Sequence, residues 1–536
     1  LVRAVSELDE MSLQQGLEIL CEAGLLHRQL GGASIKYWFK HALIQQTAYQ
    51  SMVKGERRLH HARAAEALTR VFPDTALLEP ELLAHHHAEA GNMQQALEYW
   101  ETAAQQATQR SGLIEAIDHY QHALSALDML PPGPSRDKRE LGLLLGLGSP
   151  LMSVHGYAAP EVEKTYARAR ELARLGGAEH ELFPAMQGLW QYYYVRGMLP
   201  ASRALGLQLL EIAEESRDST LLLLAHRSVA SSAFLQGDYE PCRLHTSEGM
   251  RHYDVETHGA LALKTGHDPG VAHGVYQAWS LWMLGYPDQA LAVVMEMVEL
   301  ARRLSHPLTM AYALCFAALI RNHRGDHAEA RLLSEEALGI TEPNKFALWN
   351  AWATMQLGWA QAGSGQLMAG IPQMKRGLEG WKSTGARVGF TFFPVTLAEM
   401  NVRAGRLEDA EQLLAEAAPM IEKNAEHFYE PELLRLRAEL LRRQGPSARE
   451  ASLQQVEQGL AEARTRSGKS WELRLSMLKA QLLADAKRAG ERGGDQAELG
   501  KRALQEVLAW FSEGHTTADL RAARALLEAL GAAESS

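Results

Sequence analysis

Cysteine is nearly absent from this chain. Only Cys21, Cys242 and Cys315 occur among 536 residues, with no C-x-x-C pair. That excludes a disulfide-stapled fold, and it leads us to expect a reducing, cytoplasmic setting with structural thiols. Long apolar runs are missing too. The longest, Ala311 to Ile320, is too short to span a bilayer, and no apolar segment of the signal-peptide kind opens the chain. Positive charge is not in excess: 54 Lys and Arg face 65 Asp and Glu, a net charge of −11, which argues against general nucleic-acid affinity. Catalytic signatures are lacking. Ser467-Gly468-Lys469-Ser470 matches only the end of a phosphate loop. The glycine required five residues before Gly468 is Ala463, and no strand precedes it, so a helix–turn–helix junction is expected. Consecutive His85, His86 and His87 point in different directions on a helix, as do His60 and His61, and make poor metal sets. No catalytic residue, metal ligand or cofactor is assigned to this chain.

What is present is a ladder of glycines. Gly197, Gly237, Gly285, Gly325, Gly365, Gly405 and Gly445 follow one another at intervals of 40, 48, 40, 40, 40 and 40 residues. A period in this range marks a stacked array. Three further columns keep step and are dominated by small side chains. Five residues after each glycine stand Ser202, Cys242, Ala290, Ala330, Gly370, Ala410 and Glu450. Seven before stand Trp190, Ala230, Ala278, Ala318, Gly358, Ala398 and Ala438. Twelve after, the column runs Leu209, Gly249, Met297, Ala337, Gly377 and Ala417. Small residues let two helices approach closely, and glycine supplies the left-handed turn between them. Asp238, Asp326 and the Glu408-Asp409 pair are expected to cap second helices. Prolines after Asp268, Tyr286, His306 and Glu342 are expected at helix starts. Ser202 and Glu450 depart from the pattern, so the outer copies should be distorted. The 48-residue interval carries an insertion between Glu256 and Asp268, either a binding loop or a neutral one.

The first seventy residues read differently. A helix from Met11 to Ala23, a strand from Leu25 to Leu30, a turn at Gly31 to Ser34, a strand from Ile35 to Phe39 and a helix from His41 make a helix, hairpin, helix module. Gly91-Asn92-Met93 repeats the turn pattern, and Pro131-Pro132-Gly133-Pro134 breaks the chain. The expected divisions are 1–70, a winged-helix-like lid; 71–135, first repeat helices; 136–178, a connecting helical pair; 179–485, the main array; and 486–536, a loop over Lys487 to Gly500 with closing helices and a frayed end from Gly531. The expected fold is all-α, an α-solenoid of helical hairpins with a ~40-residue period, preceded by the hairpin-bearing module. Trp190, Tyr192, Tyr193 and Tyr194 cluster at the head of the main array. Trp190 stands where other copies have Ala or Gly, and the four are read either as a binding surface for a partner or as end-closing bulk. Trp279, Trp282, Trp349, Trp352 and Trp359 are read as core.

Gly237-Asp238-Tyr239-Glu240 resembles the turn of the tetratricopeptide repeat, although the unit here exceeds that repeat's length of about 34 residues. The run Phe39-Lys40-His41-Ala42-Leu43-Ile44-Gln45-Gln46-Thr47-Ala48-Tyr49, followed by Arg57-Arg58-Leu59-His60, resembles the winged-helix lid of STAND-class ATPases. The closest likeness is to the branch fused to bacterial class III adenylate/guanylate cyclases. His85 to Gly91, Gly156 to Val162, Gly188-Leu189-Trp190 and Thr517 to Arg521 resemble the same branch, so the likeness covers essentially the whole chain. It implies a cyclase and an ATPase domain upstream, with ATP or ADP and a divalent metal bound there, and a repeat arm that tunes them. Because the chain begins Leu-Val-Arg, it is read as the C-terminal part of such a protein. By the same likeness His41 would touch the nucleotide phosphates; the plainer reading is a histidine that caps its own helix or packs against the wing. The implied role is non-catalytic: a protein or small-molecule effector binds the concave repeat face and biases the upstream ATPase in cis. The alternatives are a stand-alone repeat scaffold for protein partners and, through the basic segment Lys54 to Arg63, a DNA-binding regulator.

Overall fold

The computed structural model describes residues 1–31, 34–110, 112–177, 179–490 and 494–532. The chain divides into two compact units. The first comprises Leu1–Val154 with Lys164–Leu182, and the second His155–Glu163 with Phe183–Ser536.

In the first unit Asp9 caps the helix Glu10–Glu22, its carboxylate accepting from the backbone N–H groups of Met11 and Ser12. Strands Leu26–Gly31 and Ser34–Phe39 pair antiparallel, with Leu26 opposite Phe39 and Leu30 opposite Ile35. The expected turn centres on Gly32 and Ala33, which lie outside the described residues. Helices Ala42–Ser51 and Lys54–Val71 follow. Three helices, Pro80–Ala90, Met93–Gln109 and Leu113–Asp128, then pack in sequence, Gly91 turning between the first two at φ 89°. The proline-rich break separates Asp128 from the helix that begins at Pro134.

The second unit is a solenoid of tetratricopeptide-like helical hairpins. All seven ladder glycines have positive φ, between 70° and 107°, at the joint between paired helices. The small-residue columns are the contact lines of those pairs. Ala230, Ala278, Ala318, Ala398 and Ala438 are buried, as are Ala290, Ala330 and Ala410 facing them. At Gly370 a β-carbon would lie 2.5 Å from the Gly358 carbonyl oxygen, so these two helices touch backbone to backbone.

Several details differ from the sequence reading. Ser202 is fully buried and its hydroxyl lies 2.7 Å from that of Ser232, so this copy keeps a small contact residue. Glu450 is exposed because a 3-10 turn at Pro446–Ala448 delays the next helix to Arg449. Ser452 takes the buried slot instead and donates to the Ala438 carbonyl at 2.7 Å. Asp238 and Asp326 stand at N-cap positions but make no capping bond; Arg203 draws the first carboxylate away, and Arg321 and Arg324 the second. Pro269, Pro287 and Pro307 open helices, whereas Pro343 sits in the turn after His327–Thr341. The loop expected over Lys487 to Gly500 is mostly helical: Lys469–Arg488 runs into its start and Gly494–Trp510 occupies its second half, while 491–493 lie outside the described residues. Gly531 ends within the helix Ala518–Ala532, and 533–536 are likewise outside. Ser467 to Ser470 forms a helix–turn–helix junction. There Ser470 donates to the Trp282 carbonyl at 2.5 Å and Lys469 pairs with Glu472 at 2.7 Å.

The solenoid winds tightly enough to meet itself. The Tyr239 hydroxyl donates to the Phe428 carbonyl, 189 residues on, at 2.7 Å, and the Arg466 guanidinium donates to the Gln236 carbonyl across 230 residues. Backbone N–H groups of Arg387 and Phe428 donate to the carbonyls of Val195 and Leu235. First helices such as Pro269–Leu284 and Pro307–Arg324 are therefore buried almost all round. Their inward aromatic rings pack against one another and fill what would be an open concave groove at these repeats. Trp279, for example, touches Phe234, Phe316, Phe392 and Phe428 with ring centroids 4.5 to 5.6 Å apart.

Candidate functional site

The filling is incomplete near the head of the array, where a cavity of about 70 Å³ remains. Roughly 10–15 Å³ accommodates one water, so the space suits several waters or a compact ligand rather than a peptide segment. Trp190 and Tyr194, on the helix Glu179–Val195, form one wall; their rings stack at 5.3 Å. The Trp190 indole N–H is shared between the Ser228 carbonyl and the Ser232 hydroxyl, each at 3.1 Å. The small side chains of the facing helix Ser219–Leu235 are what make room for this bulk. Tyr276 meets the Tyr194 hydroxyl with its own, and Tyr312, Trp349 and Trp352 add further aromatic wall. Tyr192 and Tyr193 do not share the cavity: Tyr192 is buried edge-on to Tyr193, whose hydroxyl donates to Glu163 at 3.2 Å.

The sequence reading missed Arg227 and His267. Arg227 is the one Lys, Arg, Asp or Glu in the helix Ser219–Leu235, a lone charge that could have signalled a site. It is only 6% exposed and lines the cavity. Its guanidinium lies 5.6 Å from the Trp190 ring and 2.7 Å from His267 Nε2. Guanidinium only donates, so Nε2 must accept and the His267 proton sits on Nδ1. Burial, and then Arg227, press the His267 pKa well below its ordinary value, in keeping with a neutral ring. His267 comes from the insertion, which folds as short helical turns between Val255 and Thr265, and its ring stacks on Tyr312 at 4.3 Å.

Behind the wall, Glu426 is fully buried and accepts from the Gly389 and Thr391 backbone N–H groups and the Thr391 hydroxyl at 3.0, 2.8 and 2.6 Å. Burial nonetheless pushes its pKa up from 4.5 to about 7. Folding therefore takes up a proton here at intermediate pH. The stability this group adds is complete below pH 4.5 and is lost as pH rises through about 7, worth roughly 3 kcal/mol. Urea unfolding of wild type and Glu426→Gln should give profiles that diverge by about that amount between pH 4 and pH 8; parallel profiles would refute the assignment.

In the first unit His41 is exposed at the N-cap of Ala42–Ser51 and makes no capping bond. Phe39 and Leu43 beside it are 43% and 72% exposed. The two histidine groups do converge: His61 Nδ1 lies 2.8 Å from His86 Nδ1, and Tyr49 bridges His61 and Glu89. Burial, then the neighbouring histidines, lower the His86 pKa to about 4. Among the described residues no group of three His, Cys, Asp or Glu is arranged to hold a metal ion. The basic segment is partly spent internally, Arg63 pairing with Glu7 and Arg57 lying 5.1 Å from the Tyr49 ring. No helix among the described residues is long and apolar enough to cross a membrane.

The fold thus defines a helical-repeat protein of the tetratricopeptide-like class, with one buried aromatic cavity as its leading candidate site. No family model matches the chain. It is 25% identical over 454 residues to the uncharacterized protein R02095 of Rhizobium meliloti (strain 1021), covering 83% of this chain and 43% of that one. The chain therefore spans less than half the length of that relative. Among solved structures it is similar to the APC/C hetero-tetramer Cut9–Hcn1, with a TM-score of 0.49 and 14% identity over 91% of this chain and 94% of that one. It is also similar to a Rap protein complexed with competence and sporulation factor, with a TM-score of 0.42 and 15% identity over 65% and 99%.

Proposed function

We propose that this chain is the regulatory arm of a larger signalling protein, in which occupancy of the repeat unit biases an upstream ATPase and nucleotide cyclase. The observation that carries this reading is the aromatic-lined cavity, with a buried cation and an insertion-borne histidine in its wall. The length of the relative, more than twice the span matched here, leaves room for further domains. Exposed Trp38, Phe39 and Leu43 around the hairpin module supply apolar surface for an adjoining domain, with His41 between two of them. A ligand acts by population shift, binding one state of the switch more tightly than the other. His41 then reports on the nucleotide by donating to a phosphate oxygen. In the longer protein carrying this chain, His41→Ala should release bound ADP about tenfold faster, the loss of one charge-assisted hydrogen bond. Unchanged ADP release in a stopped-flow chase would reject the coupling.

A further inference from the structure

The polar groups around the cavity are unbalanced. Arg227 is buried, yet among the described residues no carboxylate lies within salt-bridge distance of it; its hydrogen-bond partner is the neutral His267. A guanidinium presents five N–H donors, and His267 takes one. Two other lining residues, Trp279 and Trp352, have indole N–H groups without a hydrogen-bond partner. Glu426, the buried carboxyl group behind the wall, already accepts three hydrogen bonds from Gly389 and Thr391 and forms no ion pair with Arg227. Burying a cation without a counter-charge is costly, and a chamber walled by rings with spare donors is complementary to an acceptor-rich, negatively charged occupant. The aromatic faces fit an apolar body, and a planar guanidinium fits a carboxylate two-pronged. The same cation excludes quaternary ammonium groups, which aromatic cages otherwise favour.

We infer that the cavity binds a small monocarboxylate of a few carbons, its carboxylate on Arg227 and its carbon chain among the rings of Trp190, Tyr194 and Trp279. This rests on the reading of the arm as a ligand sensor and names the class of ligand. Size sets the limit: about 70 Å³ holds a body of a few heavy atoms. His267 positions the guanidinium, so the insertion takes part in the site.

The test uses the whole 536-residue chain with sodium butyrate as probe, butyramide as its neutral counterpart and sodium sulfate as an ionic control. Titration calorimetry and tryptophan fluorescence should show saturable binding of butyrate, at least tenfold weaker binding of butyramide, and no saturable response to sulfate. Arg227→Met should weaken butyrate binding at least tenfold while leaving circular dichroism unchanged. If that variant does not fold, Arg227→Lys keeps the charge without the two-pronged geometry and should weaken binding severalfold. Butyrate should also raise the wild-type melting temperature in a concentration-dependent way that butyramide does not reproduce. Equal binding of acid and amide, saturable sulfate binding, or full butyrate affinity in a folded Arg227 variant would each overturn the inference. No upstream domain is needed for these measurements. Their failure removes the carboxylate and leaves the regulatory reading to be judged by ADP release in the longer protein.

Discussion

Replacing Trp279 by Ala should destabilise the second unit by roughly 3–5 kcal/mol, the range for deleting a large buried ring. The side chain is 2% exposed and lies at the centre of the inward packing, against Phe234, Phe316, Phe392 and Phe428. Its indole N–H has no partner, so the loss is one of packing rather than hydrogen bonding. The size of the effect matters less than its reach. In an open solenoid each repeat touches only its neighbours, and damage stays local. Here Phe428 belongs to a repeat far along the chain and is tied back by the Tyr239 hydroxyl and the Leu235 carbonyl. Hydrogen exchange should therefore accelerate together in the helices Ser219–Leu235, Pro269–Leu284 and Glu430–Gln444. Loss of protection confined to Pro269–Leu304 would show that the windings are energetically independent.

The glycine ladder was legible because it reports local geometry. A left-handed turn and a close helix contact each restrict the residue at one position, and restriction repeated every 40 residues shows in a single sequence. The closure of the groove was not legible. It depends on superhelical pitch, the sum of small rotations between hairpins, and no residue encodes that sum. The same limit explains why Trp279 and Trp352 were recognised as core while the winding they join was not. Aspartates 238 and 326 were misread for a different reason. A capping carboxylate competes with nearby arginines, and Arg203, Arg321 and Arg324 come within reach only once the hairpins stack. At the cavity, the bulk of Trp190 against a column of small residues was a usable signal, and Tyr194 came with it. Tyr192 and Tyr193 did not, because adjacent helical residues face different ways. Arg227 carried a signal that was available in the sequence: a single charge amid Leu, Val, Ala and Ser.

A second large effect is expected far from the cavity, at Arg474. Its guanidinium lies against the rings of Trp282 and Trp471 at 5.7 and 5.5 Å, pairs with Asp519 at 2.7 Å, and reaches Glu432 at 3.3 Å. The Glu432 side chain is 2% exposed and also pairs with Arg435 at 2.7 Å. Burial alone would raise the Glu432 pKa, but Arg435 and Arg474 outweigh it and hold the carboxyl below its ordinary value. Arg474→Met keeps most of the apolar bulk and removes the charge, leaving Asp519 unpaired and Glu432 with one partner. Breaking a buried pair from one side costs about 3–5 kcal/mol, and that loss should appear in urea unfolding at pH 7. The sign with pH follows from the lowered pKa. Wild type keeps this contribution above pH 4.5 and loses it as acid titrates the folded carboxylate. In Arg474→Met the Glu432 pKa moves upward, so the acid limb of the stability profile shifts to higher pH. Adding Glu432→Leu should restore part of the loss, because the second change removes the stranded charge. Because Asp519 lies on the closing helix Ala518–Ala532, that helix should also become the first site of proteolysis in the single variant. An unfolding midpoint equal to wild type, with no rescue by the second substitution, would mean that the rings around Arg474 hold this end of the unit without help from its charge.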